Sequence, residues 1–175
     1  MTPTDHDSQA RPTGAGAAAP VRFLSWALAL TLLDQAAKAL VVARMAMGES
    51  FPVLGSVMSF TRQSNTGAFF SLFSSAGVAL AVVGAVLVVV MIAWGCREGR
   101  RHPEIIVPLG LMLGGALGNL IDRVARGQVV DFLDFHFWPV FNIADIALTC
   151  GVLLMAYRLL LTPAGRGEAS AEKGN

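Results

Sequence analysis

Four long runs of apolar residues, separated by shorter polar segments, dominate the hydropathy pattern of this chain. The runs cover residues 22–44, 72–94, 104–122 and 141–161. A helix that crosses the hydrocarbon core of a bilayer needs about 20 mostly apolar residues. Each run is close to that length, and the second contains no charged residue. The pattern therefore predicts an all-α membrane protein with four transmembrane helices.

The segments outside the runs divide into two tails and two loops. Residues 1–20 and 162–175 are rich in Ala, Gly and Pro and hold too little apolar area to fold. We predict two disordered tails around a transmembrane domain at residues 21–161. The loop at residues 45–71 contains the β-prone run SVMSFTRQ, which predicts a small β-containing surface segment, a strand or hairpin outside the cytoplasm. We expect the loop at 123–140, whose aromatic residues include Phe135, Phe137 and Trp138, to dip into the membrane interface.

The basic residues predict the orientation of the helices. Four spans place both tails and the loop at 95–103 on one side, where eight residues are basic: Arg11, Arg22, Arg97, Arg100, Arg101, Arg158, Arg166 and Lys173. The opposite side has four: Arg44, Arg62, Arg123 and Arg126. Because cytoplasmic flanks carry the excess of Lys and Arg, we expect both termini in the cytoplasm.

Composition and motifs exclude several classes of function. Only 14% of the residues are charged, against about 25% in a typical soluble domain. The net charge of +1 leaves no basic surplus for nucleic acid. Cys96 and Cys150 fit neither a metal-ligand spacing nor a disulfide framework. The three histidines form no HExxH motif and there is no G-x-S-x-G motif, so neither a zinc peptidase nor a serine hydrolase of that type is indicated. We predict no metal and no cofactor.

Ionisable residues inside or beside the apolar runs are the candidates for chemistry, because such groups are costly in a membrane. Asp34 and Lys38 stand four apart in the first run and share a helix face, either as a self-neutralising ion pair or as the support of a site. In the third run, GGALGNLIDR places Asn119 near Asp122 and Arg123. Asp122 is either an interfacial acid held ionised by Arg123 or a catalytic acid.

Two more acids lie near the start of the fourth run. Asn142 suits the N-cap of the helix, and Asp145 stands three residues later, where a capping box places an acid. Asp145 is therefore either a capping residue or a catalytic one. Asp131, in VVDFLDF, is either a solvated loop acid or a carboxylate partly desolvated by its apolar neighbours.

The topology gathers these residues into one layer. The third helix runs outward and the fourth runs inward, so Asn119, Asp122, Arg123, Asn142 and Asp145 are all expected at the outer boundary of the membrane. The same level holds two further residues, Asn65 and Asp131. Two neighbouring carboxylates share a proton, so that one activates water as a base while the other polarises a peptide carbonyl as an acid.

Five motifs, in order, resemble those of the lipoprotein signal peptidase (signal peptidase II) family: LDQAAK, SNTGAFF, GGALGNLIDR, VVDFLDF and FNIADIA. The resemblance covers residues 22–161. It departs from the family pattern at Ala37, where Ser or Thr is usual, and at Phe69, where a small residue is usual.

This resemblance implies an aspartyl endopeptidase of the bacterial inner membrane. It would remove the signal peptide of a prolipoprotein just before a cysteine that carries a diacylglyceryl group. Asp131 and Asp145 match the catalytic pair, in preference to Asp122. Seven other positions would bind substrate or support that pair: Asp34, Lys38, Asn65, Asn119, Asp122, Arg123 and Asn142. The segment 45–71 would cover the cleft, and we expect a monomer whose partners are its substrate and membrane lipid.

Two alternatives remain on the residues alone. A proton-coupled transporter would use the intramembrane acids as a relay, but its polar residues should run through the whole membrane depth. A structural subunit would leave the layer of carboxylates unexplained.

Overall fold

The part of the protein that the structure describes forms four helices and a three-stranded sheet. The computed structural model describes residues 14–67 and 76–161. Its elements are α1 (Gly14–Arg44), β1 (Ser50–Leu54), β2 (Met58–Asn65), α2 (Ala76–Glu98), α3 (Ile106–Arg126, preceded by a 3-10 turn at Pro103–Ile105), β3 (Val129–Asp134) and α4 (Ile143–Leu161). All four helices are long and apolar enough to cross a membrane, which confirms the prediction of four transmembrane helices.

The first helix begins earlier than the hydropathy pattern indicates. Residues 14–20 belong to α1, so the prediction that they are part of a disordered tail is wrong. The alanine-rich sequence there favours a helix although it has too few large apolar side chains to mark a membrane span. The remaining predicted tail residues, 1–13 and 162–175, lie outside the described residues, as does Phe69.

Helix α3 forms the centre of the bundle. It packs against the other three helices, and 56% of its apolar segment is buried, compared with 22% or less in each of the others. Glycines allow this close packing: a Cβ added at Gly114 would lie 2.8 Å from the carbonyl oxygen of Ala27 on α1, and one added at Gly118 would lie 2.5 Å from Asp34 Oδ2. These glycines therefore permit the close approach of α3 to α1.

The sheet joins the loops on one side of the bundle. Its strands are antiparallel in the order β1-β2-β3, so the predicted hairpin at 45–71 is confirmed as β1 and β2. The prediction of a loop at 123–140 is wrong for residues 129–134, which form β3. This strand pairs with β2 and places Asp131 opposite Gln63. The hydropathy pattern does not indicate this strand, because the acids in VVDFLD interrupt its apolar run. In the structure, the partner strand and the helices bury that run.

Arg62 attaches the sheet to α1. Its Nη1 donates hydrogen bonds to the backbone oxygens of Met45 (2.6 Å) and Val42 (3.3 Å), next to the end of the helix at Arg44. The last carbonyls of a helix lack partners within the helix, and a guanidinium satisfies them well. Strand β2 is thereby held in place at the end where it carries Asn65.

Candidate active site

Asp131 is a buried carboxylate held by amide groups. Its side chain lies on β3 and the residue is only 2% exposed. Oδ1 accepts a hydrogen bond of 2.6 Å from Asn142 Nδ2, and Oδ2 accepts one of 2.9 Å from Asn65 Nδ2. The pKa of Asp131 is raised to about 6, chiefly by burial and also by the Asp145 charge, while the hydrogen bonds from Asn65 and Asn142 oppose the rise. Among the described residues, no cation pairs with this carboxylate.

Asp145 closes the N-terminal end of α4. Its Oδ2 accepts the backbone N–H of Asn142 at 3.1 Å, and the Asn142 side-chain oxygen accepts the backbone N–H of Asp145 at 3.0 Å. This reciprocal pair is the capping box expected from the sequence. The other carboxylate oxygen accepts a hydrogen bond of 2.8 Å from Asn119 Nδ2. The capping interpretation of Asp145 is therefore confirmed, and it does not compete with catalysis because the same contacts orient the carboxylate.

Asn142 connects the two acids. It is fully buried, with its side-chain nitrogen on Asp131 and its side-chain oxygen and backbone nitrogen on Asp145. The same nitrogen also lies 3.2 Å from Asn119 Oδ1. Asn119 and Asn142 thus join carboxylates that come from β3 and from α4.

A second group of acids lies deeper in the bundle, around Lys38. The Lys38 Nζ atom contacts Asp34 Oδ2 at 2.8 Å, Asp122 Oδ2 at 2.9 Å and Asn119 Oδ1 at 3.0 Å. These three contacts use all three N–H bonds of the ammonium group. Asp34 also accepts the backbone N–H of Ala144 at 3.0 Å, so this acid holds the first turn of α4. We call Asp34, Lys38 and Asp122 the ion cluster.

Asp122 is neutralised by partners other than the expected one. Arg126 pairs with Oδ1 from the next helical turn, and Gln35 donates to the same oxygen at 3.1 Å. The expectation that Arg123 holds Asp122 ionised is wrong: adjacent helical residues point in different directions, and the Arg123 guanidinium instead lies 3.4 Å from the Asn119 carbonyl oxygen. The roles of Gln35 and Arg126 were missed, although the four-residue spacing from Asp122 to Arg126 is a signal for the second.

Each of the two acids lines a cavity, and a third cavity lies beside Arg123. A polar cavity of about 570 Å³ is lined by Asp131, Asn65 and Arg123. An aromatic cavity of about 420 Å³ is lined by the rings of the segment 135–141 and by one face of α4 that begins at Asp145. The third, of about 490 Å³, is an apolar groove between α2 and α3 with Arg123 at its edge. One carboxylate therefore faces a polar cavity and the other faces an apolar one.

Arg123 has hydrogen-bonding capacity to spare. Its Nε atom is buried and, within residues 14–67 and 76–161, has no hydrogen-bond partner. Because Arg123 borders both the polar cavity and the apolar groove, it is placed to donate to an oxygen of a bound ligand. Ala37 is half-buried on α1 beside Lys38 in the sequence. In the described part of the chain, no group of three or more His, Cys, Asp or Glu residues could hold a metal ion.

The chain is similar to proteins of known type over most of its length. Residues 26–161 match the family model described as "Signal peptidase (SPase) II". The lipoprotein signal peptidase of Moorella thermoacetica is 43% identical over 144 residues, which is 82% of this chain and 95% of that protein. That of Pelotomaculum thermopropionicum is 42% identical over 139 residues, 79% of this chain and 91% of that protein. A solved structure described as a bacterial membrane enzyme, at 1.9 Å resolution, has a TM-score of 0.75 and 30% identity, covering 80% of this chain and 93% of that one.

Proposed function

Because the chain belongs to the signal peptidase II family, we propose that it is an aspartyl endopeptidase of the bacterial inner membrane. It removes signal peptides from prolipoproteins, and it cleaves just before a cysteine that carries a diacylglyceryl group. Asp131 and Asp145 are its catalytic residues. It acts without a cofactor and as a monomer.

The observation that carries the mechanism is the contrast in the partners of the acids. Within residues 14–67 and 76–161, Asp131 and Asp145 share Asn142 and receive only N–H donors from amides and backbone, whereas Asp34 and Asp122 are paired with cations. Two neighbouring carboxylates without a cation cannot easily both be charged, so the pair retains one proton. Asp131, whose pKa is raised to about 6, is the member that carries it.

The reaction follows from one protonated and one ionised carboxyl group. Asp145 accepts a proton from a water molecule, and the water oxygen attacks the carbonyl carbon of the scissile peptide. The Asp131 proton stabilises the carbonyl oxygen as negative charge develops there. The tetrahedral intermediate then collapses, the C–N bond breaks, and the leaving amine takes a proton from the pair.

The remaining site residues bind substrate or hold the pair. Asn119 and Asn142 orient the two carboxylates, and Lys38 holds Asn119 through the hydrogen bond to its side-chain oxygen. Arg123 and Asn65 line the polar cavity beside Asp131, where they can donate to the substrate backbone. The β1–β2 hairpin lies over this cleft on the outer side of the membrane, with both termini of the chain in the cytoplasm.

The first test is the loss of either carboxylate. Asp131→Asn and Asp145→Asn each remove a proton-transfer group, so we expect cleavage of a synthetic diacylated precursor to fall by about 10²–10⁴-fold. The measurement is turnover by purified protein in detergent, with thermal unfolding of the same samples to establish that the variants are folded.

Glu49→Gln provides the matched control. Glu49 is a carboxylate in the turn between α1 and β1 that accepts a hydrogen bond from the backbone of Ala46. This variant should keep wild-type turnover. Full turnover by either dyad variant, or loss of turnover at Asp122→Asn with retention at Asp131→Asn, would reject the assignment.

A further inference from the structure

The aromatic cavity is the part of the site that the mechanism above does not use. Asp145 is one of the residues that line it, so a group that occupies the cavity lies beside one of the two proposed catalytic carboxylates. Apart from this carboxylate, its walls are aromatic rings of the segment 135–141 and the α4 side chains Ile146, Thr149 and Cys150. Its volume of about 420 Å³ is within the range of cavities that bind small ligands.

The cavity opens on the outside of the helix bundle. Ile146 is 43% exposed, and Thr149 and Cys150 are exposed as well. Because α4 is one of the membrane-spanning helices, these side chains face lipid. An acyl chain can therefore enter the cavity sideways from the bilayer without crossing water.

The aromatic wall is held in place by the sheet. His136 has a left-handed backbone conformation (φ 61°), which is costly for a residue with a side chain. Asp134 accepts the backbone N–H of His136 at 2.8 Å, and Ser59 hydrogen-bonds the His136 ring at 3.2 Å. The His136 turn lies within the aromatic segment that lines this cavity with α4, and Phe135 and Phe141, on either side of the turn, stack at 5.8 Å. The cavity is thus present before a substrate binds.

The two cavities that the acids face differ in chemistry. The polar cavity beside Asp131 offers the side chains of Gln63, Ser64 and Asn65, which suit the N–H and C=O groups of a peptide. The aromatic cavity offers few such groups. A substrate with a peptide part and a lipid part that meet at the reacting bond matches this division.

We propose that the aromatic cavity is the subsite for an acyl chain of the lipidated cysteine. The inference rests on the proposed function and adds to it the side of the catalytic pair on which the lipid lies. The transfer of an apolar chain from lipid to protein gains little free energy, because both surroundings are apolar. The shape of the cavity therefore decides, more than burial does, which acyl chains fit.

The test is a variant that fills the cavity. Thr149→Trp places a large ring on its α4 wall. Two synthetic precursors with the same peptide are compared, one with long acyl chains and one with chains of a few carbons. We expect Thr149→Trp to lower the ratio of kcat/KM for the long-chain over the short-chain precursor by about tenfold or more, because an occluded pocket rejects the longer group.

Leu153→Trp is the matched control. Leu153 lies one helical turn further along the same face of α4, is 63% exposed, and does not line the cavity. This variant should leave the ratio unchanged. Val82→Trp fills the groove between α2 and α3 and tests that groove as the alternative site for the acyl chain.

Each result decides the inference separately from the proposed function. An unchanged ratio in Thr149→Trp, or a fall in the ratio for Val82→Trp instead, overturns the acyl subsite while leaving the peptidase activity established. Failure of the wild-type protein to cleave either precursor overturns the proposed function itself. Photocrosslinking of a diazirine-labelled acyl chain to the Asp131→Asn variant gives a second readout, with labels expected on α4 near Thr149 and not on α2.

Discussion

The ion cluster contacts Asn119 through Lys38, and the proposed catalytic pair, Asp131 and Asp145, contacts it through Asp145, yet the two groups of acids differ in what neutralises them. Asn119 accepts a hydrogen bond from Lys38 and donates one to Asp145. In the ion cluster, Lys38 and Arg126 balance the charges of Asp34 and Asp122. In the catalytic pair, Asp131 and Asp145 receive hydrogen bonds from amide and backbone N–H groups.

This difference in partners indicates which of the acids can transfer a proton. An acid paired with a cation has its charge compensated, and removal of the cation leaves an uncompensated charge inside the protein. An acid held only by amides is oriented but not neutralised, so its proton is available for reaction. Exposure does not separate Asp131 from the ion cluster, because Asp34, Asp122 and Asp131 are all 2% exposed or less, although Asp145 is only half-buried.

The largest expected effect comes from removing the shared cation of the ion cluster. Lys38→Met leaves Asp34 and Asp122 buried around an apolar side chain. Loss of one partner of a buried ion pair typically costs about 3–5 kcal/mol, so we expect a large fall in Tm in detergent. Asp131→Asn should instead lose turnover at nearly unchanged Tm.

Arg97→Met is the control for the loss of a cation. Arg97 is 83% exposed and pairs with Glu98 at 3.6 Å, and such surface pairs contribute little to stability. A Lys38→Met protein as stable as Arg97→Met would show that the ion cluster does not stabilise the fold.

A smaller effect is expected from a substitution that introduces a close contact with the ion cluster but removes no charge. A Cβ at Gly118 would lie 2.5 Å from Asp34 Oδ2 and 3.3 Å from Ala144 Cβ. Overpacking of this kind costs about 1–3 kcal/mol, so Gly118→Ala should lower both Tm and turnover. Gly84→Ala is the control, because its Cβ would meet only Leu120 Cδ1 at an ordinary 3.7 Å. Equal Tm values for the two variants would contradict the close contact at Gly118.

The smallest effect concerns the pH dependence of the catalytic pair. Activity that needs the Asp131 proton is present below the raised pKa of about 6 and declines as pH rises through it. The hydrogen bond from Asn65 lowers that pKa, so Asn65→Ala should move the alkaline limb of the pH–kcat profile upward, by about one pH unit. The macroscopic value belongs to the pair and not to one residue.

Ser50→Ala serves as the comparison for this profile. Ser50 lies on β1 of the same sheet and hydrogen-bonds Thr61 on the exposed side. Its profile should coincide with that of the wild type. A downward shift in Asn65→Ala would mean that the amide stabilises the protonated form, contrary to the geometry described.

Several features of the site could be predicted from sequence because they depend on local spacing. Asn142 and Asp145 stand three apart at a helix start, and the capping box follows from that spacing alone. Asp34 and Lys38 stand four apart and form the expected ion pair. The choice of Asp131 over Asp122 came from the resemblance and remains a prediction that the variants above would test.

Other features were beyond the reach of local patterns. Strand β3 exists because β2 pairs with it, a contact between segments more than 60 residues apart. Asp122 is paired with Lys38 across two helices, while its sequence neighbour Arg123 points away toward a cavity. The early start of α1 was missed because alanines favour a helix without signalling a membrane span.

Local patterns were sufficient to predict the four membrane-spanning helices, the hairpin, the capped start of α4 and the family, because hydrophobic runs, cap residues and ordered motifs are properties of nearby residues. The way in which each acid is neutralised could not be predicted from them. That depends on which groups α1, α3, α4 and β3 bring within hydrogen-bonding distance, and the distances follow from helix packing at glycines and from strand register. Among the described residues, Lys38 and Arg126 reach the ion cluster, whereas the groups that reach the proposed catalytic pair are N–H donors of Asn65, Asn119 and Asn142.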